Sequence, residues 1–243
     1  MFYSKIIISL LNFLDYFQKK PIIALFKKKF RKPIVVFDVG AHYGETIKLL
    51  LDKLNIKRIY SFEASPINFR VLERNTSKYP NDKVKIHNSG LGEKISSDFI
   101  NQTVESSSST MHNLNINSKY LEKKLKILNI KKNNKFFQKF KVEILTLDHF
   151  IKENNIDFID LLKIDTEGYE FNVLKGLKEY SHKINLVYFE HHYDDMIMKN
   201  YTFGDIHHLL KKMNFRMIKK SKMIFRKSFE YVYENQNPTN FIN

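Results

Sequence analysis

The 243-residue sequence contains no cysteine. That removes disulfide scaffolds, thiolate zinc sites and cysteine nucleophiles together. A secreted disulfide-rich protein is excluded with them, and a reducing cytoplasm suits such a chain. No apolar run is long enough to span a bilayer. The stretch over residues 6–14 is interrupted by Asn12 and followed by Asp15, whereas a spanning helix needs about 20 apolar residues. Nor does it read as a signal peptide, because Asp15, Tyr16 and Phe17 stand where a small-residue cleavage site belongs. Internal repeats are absent, and no shift of composition marks a domain boundary.

What is present is an ordinary globular balance, 43% hydrophobic and 28% charged residues, in a chain of the right size for one α/β domain with a full core. The formal net charge is +15. Such a surplus attracts phosphates, nucleic acid, anionic lipid or acidic glycans. The lysines are scattered through a chain rich in Lys, Ile, Asn and Phe, so the favoured reading is compositional. Residues 1–30 read as an amphipathic helical extension of a domain over 31–243. Two readings fit it. The favoured one is a helix packed over the core or a sheet edge. The other is an interfacial helix whose Lys19, Lys20 and Lys27 to Lys29 meet anionic lipid. The protein is accordingly expected in the cytoplasm, at the inner face of the membrane if that second reading holds.

From residue 34 the pattern is βαβα. Residues 34–39 form a short β-branched run, Gly40 and Gly44 punctuate a turn, and apolar residues recur at helical spacing over 46–54. Strands follow at 58–63 and 84–87, with a helix opened by Ser65 as cap and Pro66 at its first position. Three strands joined by two helices predict a parallel sheet with right-handed crossovers. Residues 94–140, with serines at 106–109 and a Lys/Asn-rich stretch, read as an irregular insertion carrying one helix near 120–128. Beside a ligand site such an insertion suits a substrate lid. Regular structure is expected again at 142–145, as strands at 160–165 and 184–190, helices at 168–177 and 205–213, and two strands within 215–232.

Ligands of an open parallel sheet bind outside the carboxyl ends of the strands. Four apolar strands deliver a carboxylate there: Asp38, Glu63, Asp165 with Glu167 behind it, and Glu190 followed by His191 and His192. The first turn spaces its residues Asp-x-Gly-x-x-x-Gly. A dinucleotide turn would read Gly-x-Gly-x-x-Gly, and that pattern is missing. Glu63 has acceptor capacity for two ribose hydroxyls. An adenosyl cofactor without a pyrophosphate fits both features, and carboxylates suit a cationic sulfonium. A divalent metal held by Asp165, Glu190, His191 and His192 uses suitable ligand types, but no metal-type spacing enforces it, and the reading without metal is favoured. Asp38 capping a turn, Glu167 and Glu170 as acids at a helix start, and His42 as a structural turn residue stand as plainer alternatives.

The segments Asp38-Val-Gly-Ala-His-Tyr-Gly44, Glu63-Ala-Ser-Pro66, Gly90-Leu-Gly92, Leu147-Asp148, Lys163-Ile-Asp-Thr-Glu-Gly-Tyr-Glu170 and Val173-Leu-Lys-Gly176 closely resemble the FkbM family of methyltransferases. The Lys163–Glu170 block is the most specific of them. The resemblance implies a Rossmann-like class I methyltransferase fold, a mostly parallel seven-stranded sheet with helices on both faces. It implies S-adenosylmethionine as cofactor and methylation of a hydroxyl on a sugar, glycan or related small metabolite. By the same resemblance Asp38, Gly40, His42, Tyr43 and Gly44 hold the methionine portion and Glu63 with Ala64 the ribose. Ser89 and Leu91 would lie near adenine, with Asp165 at the reacting end. An alkyl hydroxyl benefits from a general base. Asp165 is the first candidate, followed by Glu167, Glu190 and His191. A nucleic-acid substrate is disfavoured: Asp165-Thr-Glu-Gly stands where amino-methylating enzymes carry an Asn/Asp-Pro-Pro-aromatic turn. That turn argues less against RNA ribose methylation, which stays an alternative beside a non-catalytic module that binds S-adenosylmethionine.

Overall fold

The computed structural model describes residues 19–130, 136–223 and 227–238. The apolar stretch at 6–14 lies outside them. A seven-stranded sheet forms the centre, in the order β3 (Val84–His87), β2 (Ile56–Phe62), β1 (Ile34–Val39), β7 (Ile159–Ile164), β8 (Ile184–His192), β10 (Ser228–Asn235) and β9 (Phe215–Lys222). The first five are parallel, and β10 runs antiparallel between β8 and β9. The order reverses between β1 and β7, which opens the crevice that binds ligands in such sheets.

Both faces are covered because the central strands are apolar on both sides. On one face Val36, Ile59, Leu161 and Leu186 pack against α1 (described over residues 19–29), α2 (Glu45–Lys53) and α3 (Pro66–Thr76). Ile22 and Phe26 carry α1 into that core, and the Phe26 ring meets Tyr188 edge-on at 5.6 Å. This is the packing reading of the described part of the extension. The opposite face takes Phe37, Phe62, Leu162 and Phe189 against α5 (Leu147–Glu153), α6 (Glu170–Lys175) and α7 (Phe203–Lys212). Ser65 caps α3 as expected, its hydroxyl accepting from the Asn68 amide. Among the described residues no helix is long and apolar enough to cross a membrane.

Three expectations need correction. The insertion is not irregular. Its β5 (Ser96–Thr103) pairs antiparallel with β6 (Phe137–Leu145) over eight residue pairs, β4 (Gly90–Leu91) adds to the other side of β6, and α4 (Lys119–Ile127) follows the expected helix. The sequence of β5 is polar, Ser-Ser-Asp-Phe-Ile-Asn-Gln-Thr, so its pairing rests on backbone hydrogen bonds that no apolar alternation announces. Next, α6 begins at Glu170, later than 168, because Glu167 and Gly168 both hold positive φ. Finally, β8 runs on through His191 and His192, which lie within the sheet and not in a loop after it.

Candidate functional site

The turn after β1 is fixed from below. Gly40 has φ 80°, and a Cβ there would stand 1.9 Å from the Asp165 carbonyl oxygen. Only glycine fits where two loops meet so closely. Asp38 lies within β1, fully buried, and its Oδ1 is 2.9 Å from the Lys163 ammonium on the neighbouring strand. The same ammonium donates to the Gly40 carbonyl at 3.1 Å and stands 3.7 Å from Asp165 Oδ2. Burial works against its charge, yet Asp38 and Asp165 together hold Lys163 above its ordinary range. Lys163 therefore ties the first turn to the loop after β7, a role the sequence did not reveal.

Glu63 is buried at the end of β2. Its Oε2 accepts from the His42 amide at 2.8 Å and its Oε1 from the Ser65 amide at 2.9 Å. The Asn68 side chain bonds it as well, and Glu63 lines the cleft, where a carboxylate has the acceptor types that a vicinal diol requires. Burial pushes its carboxyl upward, opposed by those two amides. His42 holds φ 49° and stacks on Tyr43 with ring centroids 3.8 Å apart. Its Nδ1 faces Glu45 at 3.2 Å and its Nε2 the Ser106 hydroxyl at 2.8 Å, so it joins the turn to the insertion. Burial disfavours the charged ring, but Glu45, Glu63 and Glu105 raise it above its usual range.

Between these loops lies a cleft open to solvent. Of the expected residues, Gly40, His42, Glu63, Ala64, Ser89, Leu91, Asp165 and Glu167 line it. Asn68, Ser106, Ser109, Thr110, Met111 and Tyr169 are among the other residues of the wall. The expected Asp38, Tyr43 and Gly44 are not among its lining residues; Asp38 lies within β1 and Gly44 at the start of α2. The insertion is seated by its own contacts: Lys124 pairs with Glu105 at 3.0 Å, Thr110 donates to the Glu167 carbonyl at 2.7 Å, and Ser118 to Asp195 at 2.7 Å.

The loop after β7 is held by Glu170. Its Oε1 accepts from the Gly168 amide at 2.8 Å and from the Thr166 hydroxyl at 3.2 Å, and its Oε2 from the Tyr201 hydroxyl at 2.8 Å. Glu170 thus positions Asp165 and Glu167 rather than merely favouring a helix start. Two other motif segments are also structural. Gly176 packs on the Gly92 carbonyl, 2.1 Å from where a Cβ would stand, and the Asp148 carboxylate receives the amides of Lys178, Glu179 and Tyr180 at 2.7–3.1 Å.

Glu190 and His191 are placed differently from each other. Alternation along β8 sends them to opposite faces of the sheet. Glu190 lies with His192, 3.6 Å between Oε1 and Nε2, and Glu167 Oε2 is 3.5 Å from the same nitrogen. His191 sits among Tyr193, Tyr201 and Phe203 with ring centroids 4.8–6.0 Å away. Burial, then Lys199 and His192, push it down to about 3, so its ring is neutral. The metal reading needed His191 and His192 on one ion, and their opposite facing separates them.

The strand order, the acidic residue after β2 and the cleft at the reversal point define a Rossmann-like methyltransferase fold. The sequence profile of the FkbM methyltransferase domain matches residues 38–217, and the chain belongs to that family. It is 26% identical over 148 residues to Methyltransferase 1 of Beauveria bassiana (strain ARSEF 2860), across 59% of this chain and 58% of that protein. The match thus spans less than two thirds of that relative's length. The crystal structure of methyltransferase FkbM from Methylobacillus flagellatus KT superposes with a TM-score of 0.51 at 16% identity, covering 84% of this chain and 45% of that one. Magnesium protoporphyrin IX methyltransferase from Synechocystis PCC 6803, solved with S-adenosylmethionine bound, gives 0.50 at 8% identity, covering 94% and 81%. At these identities the two structures bear on the fold.

Proposed function

We propose that this chain transfers a methyl group from S-adenosylmethionine to a hydroxyl of a sugar, glycan or related small metabolite. The observation that carries the reading is the cleft itself. Glu63, Asp165 and the insertion residues Ser106, Ser109 and Thr110 line it together. The donor set fits the group: a carboxylate for a ribose diol, a glycine turn for close approach, and carboxylates for a cation. Gly40 and His42 would hold its methionine end, Glu63 with Ala64 its ribose, and Ser89 with Leu91 its base. When bound, S-adenosylmethionine supplies an already activated methyl group, so the protein's main task is alignment.

Asp165 is the proposed general base. Its side chain is 29% exposed, against 13% for Glu167 and 9% for Glu190, so it is the carboxylate an acceptor hydroxyl can reach. It takes the hydroxyl proton while Lys163 steadies its position. Ser106, Ser109 and Thr110 line the cleft with their hydroxyls engaged by His42, the Ser106 carbonyl and the Glu167 carbonyl, which seats the insertion beside it.

Calorimetry with S-adenosylmethionine and S-adenosylhomocysteine tests the donor, and failure of both to bind rejects the reading. Methyl transfer from labelled donor to a panel of monosaccharides and glycans tests the acceptor. With an acceptor in hand, Asp165→Asn is expected to lower kcat by about 100-fold and leave S-adenosylhomocysteine affinity within about twofold. An unchanged kcat removes Asp165 as base.

A further inference from the structure

Glu167 holds an unusual position in the cleft wall. Its φ is 49° and that of Gly168 is 95°, two left-handed residues in succession. Such backbone is strained for the non-glycine residue and persists where the surroundings enforce it. Here Glu170 binds the Gly168 amide and Thr110 binds the Glu167 carbonyl, at 2.8 and 2.7 Å. The enforced turn sends a carboxyl group from the cleft wall into a buried cluster around His192.

That cluster is short of positive charge. The His192 ring lies between three carboxylates: Glu167 at 3.5 Å and Glu190 at 3.6 Å from Nε2, and Asp194 at 3.6 Å from Nδ1. Glu190 Oε1, His192 Nε2 and Asp194 Oδ2 are buried with no hydrogen-bond partner. The other charged groups around Glu167 are Asp165 on the preceding loop, Lys124 on α4, Glu170 on α6 and Lys199 after β8. The Lys199 ammonium is spent on the His192 carbonyl, and Lys124 on Glu105. One imidazolium among this many acids is raised well above its own usual range, after opposing its burial. Burial pushes the Glu167 carboxyl up to about 7, against the pull of His192 and Lys124. The cluster holds more carboxyl groups than cations, and Glu167 is the member of it that lines the cleft, so a further cation there would favour its ionised form.

We propose that Glu167 reads the charge on the methyl donor's sulfur, ionising when a sulfonium enters the cleft and staying neutral beside the thioether of the demethylated product. Glu167 is then the residue that makes the protein prefer donor over product. The inference rests on the S-adenosylmethionine reading above. Ligand identity is coupled to one proton: donor binding releases it, and product binding does not. By linkage, donor affinity rises with pH through the Glu167 transition while product affinity stays level.

The experiment is calorimetry on the full chain at pH 6.5, each ligand titrated in two buffers of different ionisation enthalpy. S-adenosylmethionine is expected to release more protons than S-adenosylhomocysteine, by on the order of half a proton. Glu167→Gln is expected to bind both ligands with no such difference. On wild-type protein alone, the ratio of the two affinities should move about tenfold toward the donor between pH 5.5 and 7. Equal proton release in the wild type, a flat affinity ratio, or a difference that survives in Glu167→Gln each overturns the proposal. If the variant does not fold, the wild-type pH series decides. If neither ligand binds the wild type, the donor reading falls instead, and the two failures are thereby told apart.

Discussion

At the scale of single residues, the buried Asp38–Lys163 pair organises the rest. Taking two charges out of water is costly, and removing one partner strands the other. Lys163→Met is therefore expected to destabilise the fold by about 3 kcal/mol, read as a lower urea midpoint with unchanged slope. Pairing it with Asp38→Leu should restore most of that loss. If the single variant is as stable as the wild type, the ion pair does not hold the turn. Gly40 and Glu63 were legible as sequence because their types suit few other jobs at a strand end. Lys163 was not. A lysine near a strand end more often extends to solvent, and only the register of Asp38 opposite Lys163 brings the two charges together. His192 is a similar case, since its carboxylate partners come from a strand end, a loop and its own strand.

At the scale of elements, the insertion is the part whose order was hidden. The helix α4 was readable from its apolar spacing, and Ser118 caps it by accepting from the Leu121 amide. The β5–β6 ladder was not, because a partly exposed polar strand carries little side-chain signal. The insertion's seating depends on charge. Burial alone would raise the Glu105 carboxyl, but Lys124 with the Ser107 and Ser108 hydroxyls holds it down at about 2, against 4.5 ordinarily. A depressed carboxyl stabilises the fold fully above its unfolded value, and the gain is lost as pH falls toward the folded one. Amide exchange over residues 103–110 should accordingly accelerate between pH 4.5 and about 2.5 beyond the intrinsic trend. Glu105→Gln should remove that dependence, and an identical profile in the variant would show that the pair does not seat the insertion.

At the scale of the whole molecule, α1 is part of the core. Phe26 is 1% exposed and packs with Tyr188 beneath β8 and β10, while Lys27 and Lys28 face outward. Phe26→Ala should cost about 3 kcal/mol, measured by chemical denaturation. A loss below about 0.5 kcal/mol would mean that α1 docks without adding to the core. Sheet, helices and their order around it follow from alternating apolar strands and amphipathic helices, which is why the central α/β plan was readable throughout residues 34–192.

By itself the sequence determined the doubly wound plan, the carboxylate-bearing strand ends and the glycine turn. Those depend on local periodicity and on residues that tolerate few substitutes. Tertiary structure decided which carboxylates share a cation, which histidine joins Glu167 and Glu190, and how the insertion is seated beside the cleft. Each of those depends on strand register and on contacts between segments distant in the chain, such as Asp38 with Lys163, His42 with Ser106, and Glu167 with His192. A shift of one residue along β8 would exchange His191 for His192, because neighbouring strand residues face opposite sides of the sheet.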